Sequence, residues 1–352
     1  MACYSSLLFI FFFFINPCFS ELCNPREKQA LLQIKQHFRN PSILKSWKPS
    51  TDCCKSWEGV TCYTKTHRVK ILTVNWGLSG QIPPQIRDLP YLQTLEFRKS
   101  SNLTGPIQPA IAELRMLMRL CLDLNSLTGS IPDFLTHLNR LTFLDLSYNS
   151  LTGSVPAGLG GLKYLTFLDL FTNKLTGTIP SSLSNLPNIS QLRLDRNKLT
   201  GSIPDSFGSF VGNVPDLYLS NNKLSGKIPA SLGKMNFGIV DFSVNKLEGD
   251  GSMLFGSNKT SLLVDLSRNL LAFDLSKVEF SQSLIGIALD HNMITGSLPV
   301  GLTALDSLLQ FNVSYNRLCG KIPVGGKVQS FDDTSYFHNR CLCGVPLPSC
   351  KK

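Results

Sequence analysis

Apolar residues recur along most of the chain with a period of about 24 residues. Residues 141–164 read LTFLDLSYNSLTGSVPAGLGGLKY, and residues 165–188 read LTFLDLFTNKLTGTIPSSLSNLPN. The shared unit is LxxLxLxxNxLxGxIPxxLxxLxx, and its IP position recurs at Pro83, Gln108, Pro132, Pro156, Pro180, Pro204, Pro229, Ser252, Ser276, Pro299 and Pro323. Eleven copies at one period indicate stacked units, each burying its apolar face against the next.

The pattern within one unit predicts one short strand per repeat. In LxxLxL the last two leucines point to one side of a strand, and the residue between them points to the other. The Asn can hydrogen-bond backbone groups of the neighbouring unit, the Gly permits a tight corner, and the Pro stiffens the return segment. We therefore predict an α/β solenoid over residues 69–324. It is a right-handed leucine-rich-repeat superhelix with a concave parallel β-sheet and about eleven 24-residue repeats.

The first 20 residues differ from the repeats. They read MACYSSLLFIFFFFINPCFS and carry no charge, so we expect residues 1–20 to be a secretory signal cut near Ser20–Glu21. A membrane anchor is the alternative, but the apolar run is short for a span. No long apolar run follows. We therefore expect a soluble, extracellular mature protein.

The cysteines cluster where a solenoid needs closing. Four lie early and four lie late, so we expect disulfide caps at both ends, with cap regions at residues 21–68 and 325–352. The expected pairs, which spacing alone does not fix, are Cys23–Cys53, Cys54–Cys62, Cys319–Cys341 and Cys343–Cys350. A zinc site competes with this interpretation, although neither cluster contains His at ligand spacing. Cys121 is left over, as a free thiol or a covalent dimer contact.

The early cap also contains a helix signal. Asn24-Pro25 provides an N-cap and a proline in the first turn, and Asn40-Pro41 ends the helix. The apolar face expected to cover the first repeat consists of Leu31, Ile34 and Phe38.

The outward positions of the predicted strands form a mixed surface. Its acidic residues are Asp145, Asp169, Asp195, Asp241 and Asp265. Its aromatic residues are Phe143, Phe167, Phe171 and Tyr148, and its other candidates are Arg193, Arg196, Leu262, Arg268 and His291. We expect these side chains to point away from the core, as an acidic stripe with aromatic anchors for a partner. On that expectation, substitutions of the aspartates barely change stability. Asp is also common in this repeat whatever the protein binds, so a structural role stays open for each one.

Charge and chemistry narrow the classes of function. The formal net charge of +10 lies wholly outside the uncharged signal, and it favours weak binding to acidic polysaccharide. Nucleic acid is not expected, because no interleaved basic and aromatic motif occurs. Paired carboxylates can indicate a glycosidase, but here the repeat dictates their spacing, and the five His form no triad or metal cluster. No catalytic residue, cofactor or metal is expected.

Four Asn-x-Ser/Thr motifs are glycosylation candidates in a secreted chain. They begin at Asn102, Asn188, Asn258 and Asn312. Asn188 and Asn258 fall between the predicted strands, whereas Asn312 falls within one on the concave side.

Several stretches resemble the plant extracellular leucine-rich-repeat family and, within it, the polygalacturonase-inhibiting proteins. They include DCCKSWEGVTC, RLDRNKLTGSIPDSFGSFVGNVPDLYLSNNKLSG, FDLSKVEF, NVSYNRLCGKIPVGGKVQSFD and YFHNRCLCGVPLPSC. The repeat and the Cys caps mark the wider class, and the C-terminal stretch is more specific. The resemblance implies a secreted cell-wall glycoprotein that binds and inhibits fungal or insect endopolygalacturonases through its concave face, with no catalytic activity. We expect a monomer, and the net charge makes acidic pectin the expected weak, electrostatic partner.

The chain also departs from the family pattern. The family usually has ten repeats, so the tandem pair at residues 141–188 resembles a duplication. The family's acidic pocket maps onto Asp195, Asp241 and either Asp145 or Asp169. Leu262 stands where members often carry Gln, and Cys121 stands on the concave face. The alternatives are a non-inhibitory recognition module for a receptor kinase or peptide, and a structural wall or ice-binding protein, although the mixed concave face argues against ice binding.

Overall fold

A computed structural model describes residues 23–351 as a continuous stack of short coils. The expected signal at residues 1–20 lies outside the described residues. Strands in chain order are β1 (Val60–Cys62), β2 (Val69–Asn75), β3 (Ser79–Gly80), β4 (Thr94–Arg98), β5 (Ser100–Gly105), β6 (Arg119–Cys121), β7 (Asn125–Leu127), β8 (Phe143–Asp145), β9 (Phe167–Asp169), β10 (Gln191–Arg193), β11 (Asp216–Tyr218), β12 (Ser225–Lys227), β13 (Ile239–Asp241), β14 (Lys246–Gly249), β15 (Leu263–Asp265), β16 (Leu270–Leu271), β17 (Gly286–Ala288), β18 (Gln310–Asn312), β19 (Cys319–Lys321) and β20 (Cys341–Cys343).

One sheet runs the length of the molecule and confirms the predicted solenoid. Its order is β1-β2-β4-β6-β8-β9-β10-β11-β13-β15-β17-β18. Strand β1 is antiparallel to β2, and the eleven strands from β2 onward are parallel. The register places equivalent residues side by side, so that Leu144 lies opposite Leu168 and Asp145 opposite Asp169. Any side chain on one coil therefore has its counterpart about 4.8 Å away on the next.

Short 3-10 helices return the chain behind the sheet, and most begin just after the proline of the unit. The 3-10 helices are Ser42–Leu44, Pro84–Asp88, Pro109–Glu113, Asp133–His137, Ala157–Gly161, Ser181–Asn185, Asp205–Ser209, Ala230–Lys234, Ser252–Leu254, Leu275–Lys277, Val300–Ala304, Gly326–Gln329 and Asp333–Ser335. Smaller sheets, β3-β5-β7, β12-β14-β16 and β19-β20, follow some of the concave strands, and isolated bridges such as Thr178–Thr200 occur after others. The leucines and isoleucines of the unit fill the interior between strand and helix, as at Leu144, Leu151 and Leu159.

Each coil turns at a residue in the left-handed backbone region, followed in most coils by a buried Asn. The left-handed residues, with φ from 51° to 63°, are Trp76, Lys99, Leu124, Tyr148, Thr172, Arg196, Asn221, Val244, Arg268, His291, Tyr315 and His338. At Asn149, Nδ2 donates to the carbonyl of Leu122 in the preceding coil at 2.8 Å, and Oδ1 accepts the N–H of Leu127 at 2.9 Å. This pattern repeats at Asn173, Asn197, Asn222, Asn245, Asn269, Asn292, Asn316 and Asn339. The Asn column thus binds each coil to the one before, as the sequence predicts.

The N-terminal cap contains the predicted helix. Helix α1 (Pro25–His37) begins after Asn24, whose Oδ1 accepts the N–H groups of Arg26 and Glu27. Its apolar side chains are buried against the first coil. A second, four-residue helix, α2 (Cys53–Ser56), follows. The buried Glu27 pairs with Arg68 at 2.8 Å and accepts the N–H of Val69 at 2.7 Å, which joins the cap to strand β2.

Disulfide bonds close both ends of the solenoid. They join the pairs Cys23–Cys53, Cys54–Cys62, Cys319–Cys341 and Cys343–Cys350. The sulfurs of Cys23, Cys53 and Cys54 lie within 4.8 Å of one another, but each belongs to a disulfide and none offers a thiolate to a metal. Within residues 23–351, no helix has the length and apolar character needed to cross a bilayer.

Candidate functional site

Strands β8, β9, β10, β13 and β15 contain seven of the predicted partner-contact residues, and the others lie within three residues of a strand end, but many of them are buried. Asp145, Asp169 and Asp195 are only 8%, 5% and 5% exposed, and Asp241 and Asp265 are half-buried. The expectation of a fully exposed acidic stripe is therefore wrong for the first three. Strands only three residues long and 4.8 Å apart let neighbouring side chains shield the shorter carboxylates.

The aspartates between the paired leucines accept hydrogen bonds from the residue two positions further on, just after their own strand. Asp145 Oδ1 accepts both the N–H of Ser147 at 3.0 Å and its hydroxyl at 2.7 Å. The same two bonds recur from Ser243 to Asp241, from Ser267 to Asp265 and from Ser314 to Asn312. The sequence left a structural role open for these aspartates but did not identify the Ser partner, although the spacing Asp-x-Ser is visible in three repeats. These bonds argue against the expectation that aspartate substitutions in this column leave stability unchanged.

Burial perturbs two carboxyls at the centre of the face. Desolvation raises the pKa of Asp169 to about 7, opposed by the N–H of Phe171 and by Arg193 and reinforced by Asp145. Desolvation likewise raises the pKa of Asp195 to about 6, opposed first by Arg193. Both carboxyls share one cation, Arg193, which lies 3.7 Å from Asp169 Oδ2 and 3.7 Å from Asp195 Oδ1. Each of these two carboxyls therefore takes up or releases its proton near neutral pH.

Polar atoms without a hydrogen bond gather at this centre. Thr172 Oγ1, Arg193 Nε and Asp195 Oδ1 are buried and lack a hydrogen-bond partner among the described residues. The guanidinium of Arg193 lies 4.8 Å from the ring centroid of Phe171 and 5.0 Å from that of Tyr218. Arg193 Nε and Asp195 Oδ1 therefore interact through an ion pair that is longer than a hydrogen bond, and buried polar atoms without hydrogen bonds carry a free-energy penalty.

The two tandem repeats produce a stack rather than separate anchors. The rings of Phe143 and Phe167 are parallel, with centroids 4.2 Å apart, and both are half-buried. The guanidinium of Arg119 covers Phe143 at 3.6 Å and pairs with Glu96 at 2.6 Å. The expectation that both phenylalanines are exposed is wrong, because in-register stacking covers their faces.

Other predicted residues do face solvent. Tyr148 is 46% exposed and meets the half-buried Phe171 edge-on at 4.9 Å. Arg196 and Arg268 are exposed. Leu262 is 44% exposed and lies just before strand β15.

The last coils carry a second aromatic column. The ring of His291 stacks on Tyr315, and Tyr315 stacks on His338, with centroids 4.1 Å apart in both pairs. His291 Nδ1 lies 2.8 Å from Asp290 Oδ2. Sequence reasoning named only His291, although all three occupy the same left-handed position of successive coils.

Cys121 and the glycosylation candidates are placed as follows. Cys121 ends strand β6 on the concave side, but it is fully buried, and burial raises the pKa of its thiol to about 12. Asn102, Asn188 and Asn258 are exposed. Asn312 is half-buried within strand β18, as its position in the repeat predicts.

Comparison with known families and structures agrees with this architecture. The family described as "Leucine rich repeat N-terminal domain" matches residues 24–63, and leucine-rich-repeat families match residues 115–175, 188–210 and 215–235. Among solved structures, a plant ice-binding protein shares 47% identity with a TM-score of 0.77, over 94% of this chain and 98% of that one.

Two plant proteins are similar in sequence to this chain along nearly its whole length. The "Polygalacturonase inhibitor" of Pyrus communis is 60% identical over 348 residues, covering 98% of this chain and 97% of that protein. "Polygalacturonase inhibitor 1" of Arabidopsis thaliana is 60% identical over 349 residues, covering 98% of both. The chain therefore belongs to the polygalacturonase inhibitor family of leucine-rich-repeat proteins.

Proposed function

We propose that this protein is secreted into the plant cell wall, where it binds microbial endopolygalacturonases and inhibits them, limiting pectin degradation. The observation that carries the proposal is the 60% sequence identity, over nearly the full length, to proteins named polygalacturonase inhibitors. Disulfide caps at both ends suit an oxidising compartment. The exposed Asn102, Asn188 and Asn258 suit a glycoprotein.

The concave face offers an interface of the expected kind. An enzyme that cleaves a polyanion needs a cleft of positive potential, and the carboxylates of Asp241 and Asp265 complement it from half-buried positions. Exposed Tyr148 and Arg196 supply the residue types that dominate binding energy at interfaces. The half-buried Arg193 adds a cation to this face, stacked between the rings of Phe171 and Tyr218.

The central test is inhibition of a panel of purified endopolygalacturonases, followed by variants of the exposed residues. Tyr148→Ala and Arg196→Glu each remove a contact without touching the core. We expect each to weaken inhibition by about tenfold or more, since interface hot spots contribute about 2 kcal/mol. Tyr164→Ala is the matched control, because Tyr164 is 60% exposed but lies before strand β9. Inhibition that survives both concave substitutions contradicts the assignment of the interface, and a panel with no inhibited enzyme contradicts the function.

A further inference from the structure

A small cavity opens at the edge of the solenoid where the chain enters the concave strands. Its volume is about 320 Å³, within the range of small-molecule sites, and it is lined by Met118, Arg140, Thr142 and Tyr164. These residues lie within three positions of the starts of strands β6, β8 and β9. None of them is one of the predicted partner-contact residues, so the cavity is separate from the surface assigned to the enzyme.

The backbone sets the width of this cavity. The N–H of Thr142 donates to the carbonyl of Met118 at 2.8 Å, and the N–H of Thr166 donates to that of Thr142 at 2.8 Å, which stacks three coils in register. Met118 and Tyr164 therefore extend from coils two steps apart, about 9.6 Å at the backbone. A flat ring between two walls needs about 7–8 Å, because non-bonded carbon atoms pack best at about 3.5–4.0 Å. The cavity thus has room for one planar group and not for two.

The two walls are large side chains, and the floor between them is small. Met118 is 39% exposed and Tyr164 is 60% exposed. The hydroxyl of Thr142 already donates to the carbonyl of Met118 at 2.9 Å, so the floor adds little polarity. The next coil carries Asn188 and Ser190 at the corresponding positions, so this slot is not a general property of the repeat. A thioether facing a phenol ring favours an aromatic group between them.

A single cation stands at the rim of the slot. Arg140 is exposed and takes part in no ion pair with another residue of the described range 23–351. It also lines an adjoining cavity of about 470 Å³, where the carboxylate of Glu113 is matched by the cation of Arg115. The guanidinium of Arg140 is therefore available to an anion. Its planar fork suits a carboxylate, which it can bind through two parallel hydrogen bonds.

We propose that this cavity binds a small planar aromatic carboxylate, with the ring between Met118 and Tyr164 and the carboxylate on Arg140. A protein partner combines an aromatic ring with a nearby free carboxylate of this kind only at a C-terminal aromatic residue, so a small acid is the more general source of this chemistry. The concave strands stay free when the cavity is occupied. The site goes beyond the proposed function and does not depend on it.

The first test titrates the mature protein with trans-cinnamate and follows the ligand by NMR. At about pH 6 its carboxylate is ionised, and we expect a dissociation constant of about 0.1–1 mM, as suits a ligand of this size. The methyl ester lacks the charge and cyclohexanepropionate lacks the flat ring, so each should bind about tenfold more weakly. Failure of cinnamate to bind at about 10 mM, or equal binding by either analogue, would overturn the proposal.

The second test uses variants with matched controls. Arg140→Gln and Tyr164→Ala should each weaken cinnamate binding about tenfold, and Arg140→Gln should also abolish the preference for the acid over its methyl ester. Lys163→Gln removes an exposed cation beside Tyr164 that does not line the cavity, and Tyr91→Ala removes an exposed tyrosine at the same position of an earlier repeat.

Both controls should bind cinnamate within about twofold of the native protein, because neither residue lines the slot. Equal losses in the variants and their controls would overturn the assignment of the site. All four substituted side chains are exposed, so the fold is not at risk. Because the titration contains no enzyme, its outcome is independent of whether the protein inhibits a polygalacturonase.

Discussion

Asp169 accepts the N–H of Phe171 at 2.8 Å, while its carboxyl is 5% exposed and lies beside Asp145 on the adjoining strand. The hydrogen bond needs only an acceptor oxygen, whereas the negative charge is penalised by burial. In the last coil Asn312 occupies the equivalent position and accepts the N–H of Ser314 at 3.0 Å. The fold therefore uses the side-chain oxygen at this position, and the charge is dispensable for stability.

Asp169→Asn should accordingly make the protein more stable at neutral pH. The folded pKa of about 7 lies above the unfolded value, so the folded state binds the proton more tightly. Stability contributed by this proton is present below about pH 4 and is lost as the pH rises toward 7. We expect the variant to gain about 1–3 kcal/mol at pH 7.5 and almost nothing at pH 4, as measured by urea unfolding across this range.

Asp133→Asn provides the control for this experiment, because Asp133 is exposed. Its difference from the native protein should stay small at every pH. A destabilised Asp169→Asn protein, or a difference that does not grow between pH 4 and 7.5, would contradict the proposed burial penalty.

The Asn column adds buried side-chain hydrogen bonds between coils to those made by the backbone. Asn149 takes part in four hydrogen bonds: Oδ1 accepts from Leu127, and the two N–H groups of Nδ2 donate to the carbonyls of Leu122, Leu146 and Ser147, with one N–H shared between two carbonyls. Two of these reach into the preceding coil. Because the site is buried, water cannot replace any of the four bonds when the side chain is removed.

Asn149→Ala should therefore lower the free energy of unfolding by about 2–4 kcal/mol, since it leaves buried backbone groups unpaired. Asn139→Ala is the matched control, because Asn139 is exposed and its side chain makes no hydrogen bond with the described residues. Chemical denaturation of both variants measures the difference. Equal stability of the two variants would show that the column contributes no more than a surface side chain.

In the middle of the molecule each coil packs between two similar coils, whereas the first and last coils lack one neighbour and need a cap. Helix α1 and two disulfides cover the first coil, while residues 333–339 extend the pattern of the coils beyond strand β18, where Val313 donates to Ser335 and Tyr315 to Phe337. All eight cap cysteines are thereby paired, and Cys121 remains as a free, buried thiol among the described residues.

Thiol counting should reflect this arrangement. Ellman's reagent should find almost no reactive thiol in the native protein, because Cys121 is buried and its pKa is raised to about 12, which suppresses the thiolate. After denaturation without reductant it should find one thiol per mature chain, because Cys3 and Cys18 lie in the expected signal at residues 1–20. Several thiols after denaturation would contradict the disulfide scheme, and one fast-reacting thiol in the native protein would contradict the burial of Cys121.

The sequence by itself determined the parts of this protein that depend on periodicity. The 24-residue repeat fixes eleven parallel strands, the core leucines and the Asn column, because each contact is made with an identical neighbour one coil away. Local signals likewise fixed helix α1, whose N-cap Asn24 and following Pro25 act within one turn. The stack of Phe143 on Phe167 was not predicted, although both residues occupy the same position in tandem units.

Only the tertiary structure decided which outward residues are available to a partner. Alternation assigned Asp145, Asp169 and Cys121 to the concave side, but it could not show that short strands and bulky neighbours bury them. The placement of Arg193 between Asp169 and Asp195 depends on side-chain directions across two coils. Periodicity states which residues are neighbours, whereas exposure and pKa depend on how completely those neighbours exclude water, and that is settled by packing in three dimensions.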